Sequence, residues 1–384
     1  AGAAGLAAGL AAARSGARVI VADEQEEMGG SLLDSRETLD GKPADQWVAQ
    51  VLEELSGCAN VTLLPRTTVN GYHDHNFVTL HERRTEHLGE TAPVINGYRQ
   101  VRARLHRVRA GQVILATGAH ERPLVYAGND VPGNLLAGAV STYIRRYGVA
   151  PGRKLVLSTS NDYGYRAALD WKEAGCEVAA IVDAREAPAG DWVDAARAQG
   201  IKIITGSAVI EAKGSNRVTA ARVAKIDIDA FKVSGPVQEL ACDTIASSGG
   251  YSPVIHLASH TGARPTWRDD ILGFVPGLVK GVQACGGAKG TYALGDVLAE
   301  GVEAGIRAAA TTGHAAQAVS LPSAERLQYG PAVALFQVPH EKPTLRGPKQ
   351  FVDLQNDVTA AGIELATREG FESIEHIKRY TAMG

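Results

Sequence analysis

Short apolar runs alternate with turns and with helically spaced segments along much of the chain. Val19–Ala22 is the first such run and ends at Asp23, and residues 113–115 form another that leads into a Thr-Gly turn. Between them, residues 44–56 repeat apolar side chains at helical spacing, and residues 61–64 are again apolar. Buried strands that alternate with helices are typical of a parallel sheet covered on both faces. The pattern predicts an α/β fold.

A glycine turn and an acid frame the first helix. Gly2 and Gly5 begin an alanine-rich helix, and Asp23 follows the next strand. In a dinucleotide-binding βαβ unit, one glycine lets the backbone approach a pyrophosphate, and another lets the helix pack close to its strand. The helix N-terminus donates N–H groups to phosphate, and the acid accepts from a ribose hydroxyl. We predict a dinucleotide site here; the alternative is an alanine-rich helix whose glycines serve packing alone.

The first glycine of the fingerprint and the strand before it are missing from this sequence. That strand is the central one in such domains. We therefore expect the sequence to be a fragment of a longer chain.

Further stretches are expected beside the nucleotide. Gly30 and Ser31 belong to a loop after the acid, and Val69 follows a third parallel strand that would end near the adenine. Residues 72–108 alternate apolar and charged positions and predict an antiparallel excursion. Residues 291–296 are interpreted as a short strand that closes the domain over the cofactor, before a small-residue helix from Gly301 to Val319.

A second βαβ pattern covers residues 155–183. Its turn, Ser158 to Gly164, contains one glycine where the fingerprint has three, and Asp162 would repel a phosphate. We interpret it as a dinucleotide fold that has lost its ligand, with an occupied second site as the alternative. We expect residues 1–148 and 246–330 to form the first domain, residues 149–245 an inserted second one, and residues 331–384 a C-terminal docking segment.

Composition narrows the functional classes. A net charge of −3 gives no electrostatic reason to expect nucleic acid or an anionic membrane as partner. No apolar run reaches the roughly 18 residues that span a bilayer. The four cysteines, Cys58, Cys176, Cys242 and Cys285, are far apart and form no metal-ligand pair. We expect no metal site, and reduced thiols in a cytoplasmic protein.

With these residues in view, the chain resembles the alpha subunits of heterotetrameric sarcosine oxidase along essentially all of its length. The most specific carriers are Ala-Thr-Gly-Ala-His-Glu-Arg-Pro at residues 116–123 and Gln-Asn-Asp-Val-Thr at residues 355–359. Further carriers are residues 2–10, 21–25, 29–32, 160–166, 248–254 and 374–381. The resemblance implies a Rossmann-type fold with two dinucleotide-binding domains, like that of two-domain flavoproteins.

The resemblance also implies an oxidoreductase that demethylates sarcosine to glycine and yields hydrogen peroxide and 5,10-methylenetetrahydrofolate. It implies NAD in this chain, FAD in the beta subunit and FMN at the alpha–beta interface. The implied partners are the beta, gamma and delta subunits, with tetrahydrofolate bound by a C-terminal domain absent here. No catalytic residue is expected in this chain. The fingerprint and the resemblance together predict the cofactor-binding residues Gly2, Ala4, Gly5, Asp23, Glu24, Gln25, Gly30, Ser31, Val69, Thr117, Gly118, Gly287, Ala288, Tyr292, Leu294 and Asp296.

Two alternatives of different class stay open. Opine oxidase subunits share the architecture but begin an iron–sulfur motif with Cys-x-Cys, where this chain has Asp353-Leu354-Gln355, whose side chains cannot replace thiolates. The Gly-Asp pair ending at Asp296 nevertheless leaves FAD possible in the first site. The other alternative is a scaffold without nucleotide, against which the retained Gly2, Gly5 and Asp23 argue.

The last stretch, residues 339–381, combines a proline-broken basic loop with a short helix. Lys342, Arg346 and Lys349 concentrate positive charge there, and a flavin phosphate is a dianion that such a loop could meet. We predict that this stretch docks against the beta subunit near FMN. The alternative is a solvated basic loop.

Overall fold

The computed structural model describes residues 1–384, apart from the side chain of Tyr98. The chain forms two compact units: residues 1–120 with 252–326 form unit 1, and residues 121–251 with 327–384 form unit 2. Sequence reasoning places the boundaries near residues 148, 246 and 330. In the structure, residues 121–148 and the C-terminal segment belong to unit 2, because their contacts are made within it.

The helices are α1 (Ala3–Arg14), α2 (Ala44–Gly57), α3 (Ala137–Arg145), α4 (Tyr165–Glu173), α5 (Asp191–Ala198), α6 (His256–Ser259), α7 (Leu294–Thr311), α8 (Ala360–Arg368) and α9 (Ile374–Thr381). The strands are β1 (Val19–Ala22), β2 (Thr38–Leu39), β3 (Lys42–Pro43), β4 (Val61–Leu64), β5 (Thr67–His73), β6 (Phe77–Arg83), β7 (Val94–Ile95), β8 (Tyr98–Arg99), β9 (Ala103–Arg109), β10 (Val113–Leu115), β11 (Ala119–Glu121), β12 (Asn134–Leu136), β13 (Lys154–Thr159), β14 (Glu177–Asp183), β15 (Ile203–Ile204), β16 (Ser207–Gly214), β17 (Val218–Asp227), β18 (Lys232–Val233), β19 (Gln238–Ala241), β20 (Thr244–Ser248), β21 (Tyr251–Pro253), β22 (Thr266–Arg268), β23 (Gly273–Val275), β24 (Val282–Ala284), β25 (Phe351–Asp353) and β26 (Val358–Thr359).

Unit 1 contains two pairs of parallel strands. β1 pairs with β4, and β10 pairs with β24. β5, β6 and β9 form an antiparallel sheet, which confirms the predicted excursion. Because parallel strands end at the same edge, the turns after β1 and β4 lie together, as do those after β10 and β24.

The strand predicted over residues 291–296 is wrong. Leu294, Gly295 and Asp296 form the first turn of α7, and the helix ends at Thr311 rather than Val319. An acid in the first turn is favoured by the helix dipole, and Gly313, with a φ of +88°, lies just past the last turn. The parallel partner of β10 is β24, which ends at Ala284, before the loop that leads into α7.

Two glycines bring α1 and α7 into backbone contact. A Cβ on Gly301 would lie 2.4 Å from the carbonyl oxygen of Ala4, and one on Gly305 would lie 2.3 Å from that of Ala8. The contacts follow the same order along both helices, with Ala4 before Ala8 and Gly301 before Gly305, so α1 and α7 run in the same direction. Alanine favours α1 as a helix, and its small side chains permit this approach.

Unit 2 is built on a parallel sheet in the order β12-β20-β13-β14-β15. Its core includes fully buried side chains of Leu155, Leu157, Leu169, Trp171 and Ile181. β16 and β17 begin an antiparallel sheet. The C-terminal segment is tied to this unit, since Gly128 N–H donates to Lys349 O and Asn129 exchanges two hydrogen bonds with Phe351. The predicted α/β class is confirmed.

Candidate functional site

The start of α1 provides the first element of the unit 1 site. Gly2 precedes the helix in extended conformation, and its carbonyl accepts the first helical hydrogen bond, from Leu6 N–H at 2.9 Å. The N–H groups of residues 3–5 therefore lie outside the helical ladder, at the positive end of the helix dipole. Ala4 is buried and Gly5 half-buried. Such a helix start can receive an anionic phosphate.

The loop predicted beside the nucleotide lies against this helix start. Gly30 has a φ of +55°, and a Cβ on it would come within 2.9 Å of the Gly2 Cα. Gly29 N–H donates to Ala1 O at 2.9 Å. Ser31 is exposed on the single 3-10 turn that follows. The two glycine backbones thus face each other with no side chain between them.

Asp23 lies at the carboxyl end of β1 and is only 9% exposed. Its Oδ1 accepts Gln25 N–H at 2.8 Å, and its Oδ2 contacts the amino group of Ala1. Thr67 N–H donates to the Asp23 carbonyl at 2.7 Å, which fixes this turn to the start of β5. Glu24 and Gln25 are exposed beside it.

A second pair of glycines meets at the ends of β10 and β24. Gly118 has a φ of +72°, and a Cβ on Gly287 would lie 3.3 Å from the Gly118 Cα. The exposed Thr117 donates its hydroxyl to Val254 O at 2.9 Å. A Cβ on Gly5 would lie 3.2 Å from the Ala116 Cβ, so the first turn of α1 packs on the end of β10.

The remaining predicted cofactor-binding residues differ in how exposed they are. Ala288 is fully buried and Leu294 is 5% exposed, so little of either residue is accessible to a cofactor. Asp296 is exposed in the first turn of α7, and Tyr292 is half-buried in the loop before it. Val69 is half-buried on β5, two residues beyond the contact with Asp23.

Sequence reasoning missed Glu300 in the second turn of α7. Its carboxylate accepts Gly286 N–H at 2.9 Å and the Thr291 hydroxyl at 2.8 Å, and Lys289 Nζ lies 3.2 Å away. Glu300 is one of three acids on this helix, and nothing in the sequence distinguishes it from Asp296 and Glu303. Only the fold shows that it binds the loop between β24 and α7.

The matching edge of unit 2 is filled by side chains. Asp183, at the end of β14, is fully buried and accepts Tyr165 Oη at 2.7 Å and Arg185 Nη2 at 2.7 Å. Arg185 Nη1 lies 2.7 Å from Asp162 Oδ1. Burial raises the pKa of Asp162 and of Tyr165. Although burial opposes it, the hydrogen bond to Asp183 raises the pKa of Arg185, which stays charged.

A segment of the same unit lies over this edge. Gly330 N–H donates to Asp162 Oδ2 at 2.6 Å, and Val333 N–H donates to Ser160 O at 3.0 Å. A Cβ on Gly190 would lie 2.2 Å from Asp162 Oδ2 and 2.9 Å from Gln328 O. Residues 328–333 therefore lie directly against the turn that follows β13.

All four cysteines are free thiols, and burial raises the pKa of the Cys285 thiol to about 12. Within the part of the chain that the structure describes, no three His, Cys, Asp or Glu side chains cluster as a metal site. In the same residues, no helix is both long enough and apolar enough to cross a bilayer.

Comparison with known proteins identifies the family. A family model described as pyridine nucleotide-disulphide oxidoreductase matches residues 1–319, and one described as the sarcosine oxidase A3 domain matches residues 347–384. The chain belongs to the pyridine nucleotide-disulphide oxidoreductase family. Two dinucleotide-binding domains, as predicted, are the architecture of that family, and a dinucleotide is its type of cofactor.

Within this oxidoreductase family, the chain is homologous to sarcosine oxidase alpha subunits, which confirms the predicted resemblance. The alpha subunit from Rhizobium meliloti (strain 1021) is 40% identical over 391 residues, which cover all of this chain and 37% of that subunit. The alpha subunit from Corynebacterium sp. (strain P-1) is 39% identical, with 39% of its length covered. The chain thus spans about two fifths of these relatives.

The fold is also similar to that of L-proline dehydrogenase from P. horikoshii. The structural alignment covers 99% of this chain and 68% of that one, with a TM-score of 0.66 and 17% identity. At this identity, the similarity concerns the fold alone.

Proposed function

We propose that this chain is the NAD-holding region of a sarcosine oxidase alpha subunit. The observation that carries the proposal is the buried Asp23 carboxylate at the end of β1, beside the helix start at which Gly2 faces Gly30 of the neighbouring loop. The homology along the whole chain supports the same conclusion.

The residues present fit a dinucleotide. Gly2 and Gly30 meet backbone to backbone beside the helix start, and a Cβ on Gly30 would come within 2.9 Å of the Gly2 Cα. In the proposed arrangement, the N–H groups of residues 3–5 hold the pyrophosphate, and Asp23, with Glu24 and Gln25, holds the adenosine ribose. Gly118 and Gly287 face the other end, Val69 faces the adenine, and Ser31, Thr117, Tyr292 and Asp296 line the rim. The proposal does not require bound NAD to transfer a hydride.

Amine oxidation is proposed to occur outside this chain. The beta subunit would hold the FAD that oxidises sarcosine, and FMN would lie at its interface with this chain. The gamma and delta subunits complete the complex, and tetrahydrofolate takes up the one-carbon unit in a further domain. Sarcosine would be oxidised to glycine, its one-carbon unit would enter 5,10-methylenetetrahydrofolate, and the two electrons removed would reduce oxygen to hydrogen peroxide.

Unit 2 is proposed to bind no dinucleotide. Asp183, which would accept from a ribose, is already bonded to Tyr165 and Arg185, and Asp162 presents a carboxylate where a phosphate would lie. Displacing residues 328–333 would break the hydrogen bonds of Gly330 and Val333 and leave buried polar groups without partners.

The C-terminal segment is proposed to dock on the beta subunit near FMN. Leu354, Ile374 and Tyr380 are 59%, 68% and 49% exposed, which is unusual for apolar side chains gathered in one segment. Lys342 and Arg346 lie in the basic loop before them. An apolar surface rimmed by cations suits a protein interface that contains a flavin phosphate.

The test is the identity of the nucleotide released by heat from the complex, purified without added nucleotide. We expect NAD, one per alpha chain, measured by mass and absorbance in the fraction assigned to this subunit. FAD there would favour the alternative that Asp296 supports, because an acid at this place can accept from a ribityl hydroxyl. If this subunit releases no nucleotide, it is a scaffold and the proposal is wrong.

A further inference from the structure

The loop between β24 and α7, residues 285–293, is fastened by one carboxylate from the helix that follows it. Glu300 accepts Gly286 N–H through Oε2 and the Thr291 hydroxyl through Oε1, and the Lys289 ammonium pairs with the same Oε1. One side chain thus holds the start, the middle and the end of the loop. Its own exposure is 21%, so water screens these contacts only in part.

This loop needs such a fastening because it is rich in glycine. Gly286 has a φ of +63° and Gly290 a φ of +83°, and Gly287 lies between them. Glycine loses more conformational freedom on ordering than any other residue, so the side-chain contacts of Glu300 add restraint to the loop's own backbone hydrogen bonds, from Gly290 N–H to Gly287 O and from Thr291 N–H to Gly286 O.

The fastened loop touches both other parts of the unit 1 site. A Cβ on Gly286 would come within 2.9 Å of the Ala4 Cβ, and Gly287 approaches the backbone of Gly118. A shift of Gly286 therefore moves the surface that faces the first turn of α1 and the turn after β10. The carboxylate also pairs with Lys289, which holds that ammonium against α7.

We infer that Glu300 is a positioning residue for the dinucleotide of unit 1. It holds the glycine loop in the conformation that receives the cofactor, without touching the cofactor itself. The inference rests on the proposed function, since it requires that unit 1 binds a dinucleotide.

The experiment uses the complete alpha subunit in its assembled complex, with NAD as the probe. Three variants are compared with wild type: Glu300→Ala, Glu300→Gln and Glu303→Ala. Glu303 lies on the same helix but is 70% exposed and pairs only with Arg307 in the next turn, which makes it the matched control. The readouts are the Kd for NAD, the NAD retained after dialysis, and the melting temperature of the NAD-free protein.

We expect Glu300→Ala to raise the Kd at least tenfold, because charge-assisted hydrogen bonds are lost. Glu300→Gln keeps an acceptor for Gly286 but no charge for Lys289, so its Kd for NAD should lie between those of wild type and Glu300→Ala. Glu303→Ala should bind as wild type does. An unchanged Kd in both Glu300 variants, with or without a lower melting temperature, overturns the inference and leaves the proposed function intact. Wild type that retains no dinucleotide overturns both.

Discussion

At the scale of single residues, Asp23 is the group on which the proposed NAD site depends. Replacing it by Asn keeps the shape but removes the charge from the ribose acceptor. We expect Asp23→Asn to weaken NAD binding by about 1.5–3 kcal/mol, roughly 10- to 150-fold. The measurement is the NAD retained by the purified complex after dialysis.

Glu26 provides the control for that variant. It lies in the same turn, is exposed, and pairs with Arg66. Glu26→Gln should retain NAD as wild type does. Equal retention by Asp23→Asn and Glu26→Gln would contradict the placement of the ribose.

Glu121 in unit 2 predicts a pH dependence of stability. Burial raises the pKa of its carboxyl group to about 7, although Ser248 and the Gly138 N–H at 2.6 Å stabilise the anion. The unfolded carboxyl loses its proton near pH 4.3, whereas the folded one keeps it until about pH 7. The folded state is therefore progressively destabilised as the pH rises from about 4.3 to 7, by about 3 kcal/mol in total.

Glu121→Gln should remove this dependence, because the amide oxygen still accepts from Gly138 but carries no proton equilibrium. Melting temperatures recorded from pH 5 to 8 should diverge, with the variant more stable at the upper end. Glu303→Gln, at an exposed glutamate, should follow wild type throughout. Parallel curves for wild type and Glu121→Gln would show that the buried carboxyl titrates normally.

At the scale of elements, the contact of α1 with α7 decides where both helix starts lie. Gly301→Ala would place a methyl carbon 2.4 Å from the Ala4 carbonyl oxygen, which is closer than van der Waals contact allows. We expect the helices to separate at a cost of about 2 kcal/mol or more, which lowers the melting temperature by roughly 4–8 °C. NAD retention should fall too, because α1 carries the phosphate-binding turn.

Gly295 in the first turn of α7 is the matched control. A Cβ there would meet only the Ala324 Cβ, at an ordinary 3.7 Å. Gly295→Ala should leave the melting temperature unchanged or raise it, since alanine favours a helix. A smaller loss for Gly301→Ala than for Gly295→Ala would refute the close approach of the backbones.

Periodicity predicted several elements of this fold, but not all. β4, β13, β14 and α4 lie where apolar spacing places them, because each buries a face that the pattern reveals. The strand predicted over residues 291–296 is wrong, because a short apolar run fits a strand and a helix turn equally. Glu300 could not be predicted, because its partners are a backbone N–H and two loop side chains that only the tertiary fold brings together.

At the scale of the whole molecule, the filled edge of unit 2 predicts how the flavins of the complex respond to added NADPH. In the proposed function, residues 328–333 and the paired Asp162, Asp183 and Arg185 take the place of a second dinucleotide. Anaerobic titration of the complex with NADPH should therefore leave the flavin absorbance unchanged, whereas sarcosine should bleach it. Rapid bleaching by NADPH would show that unit 2 opens to a pyridine nucleotide.

The basic loop predicts a separate effect on FMN. Arg346→Ala, Lys349→Ala and their combination should lower the FMN content of the complex or slow electron transfer from FAD, because phosphate-binding charge is lost. NAD content should not change. Lys202→Ala, at an exposed lysine elsewhere in unit 2, is the control. Full FMN content and normal turnover in all three variants would show that the stretch is only a surface loop.

The helix contact of unit 1 also sets an order of events during synthesis. Ala4 and Gly301 touch, yet nearly three hundred residues are made between them. At about 5–20 residues per second, a ribosome needs roughly 15–60 s for that stretch. Throughout this interval, the apolar side chains of α1 are not yet covered by α7. Unit 1 therefore cannot close before α7 has been made, and until then the nascent chain depends on whatever shields α1.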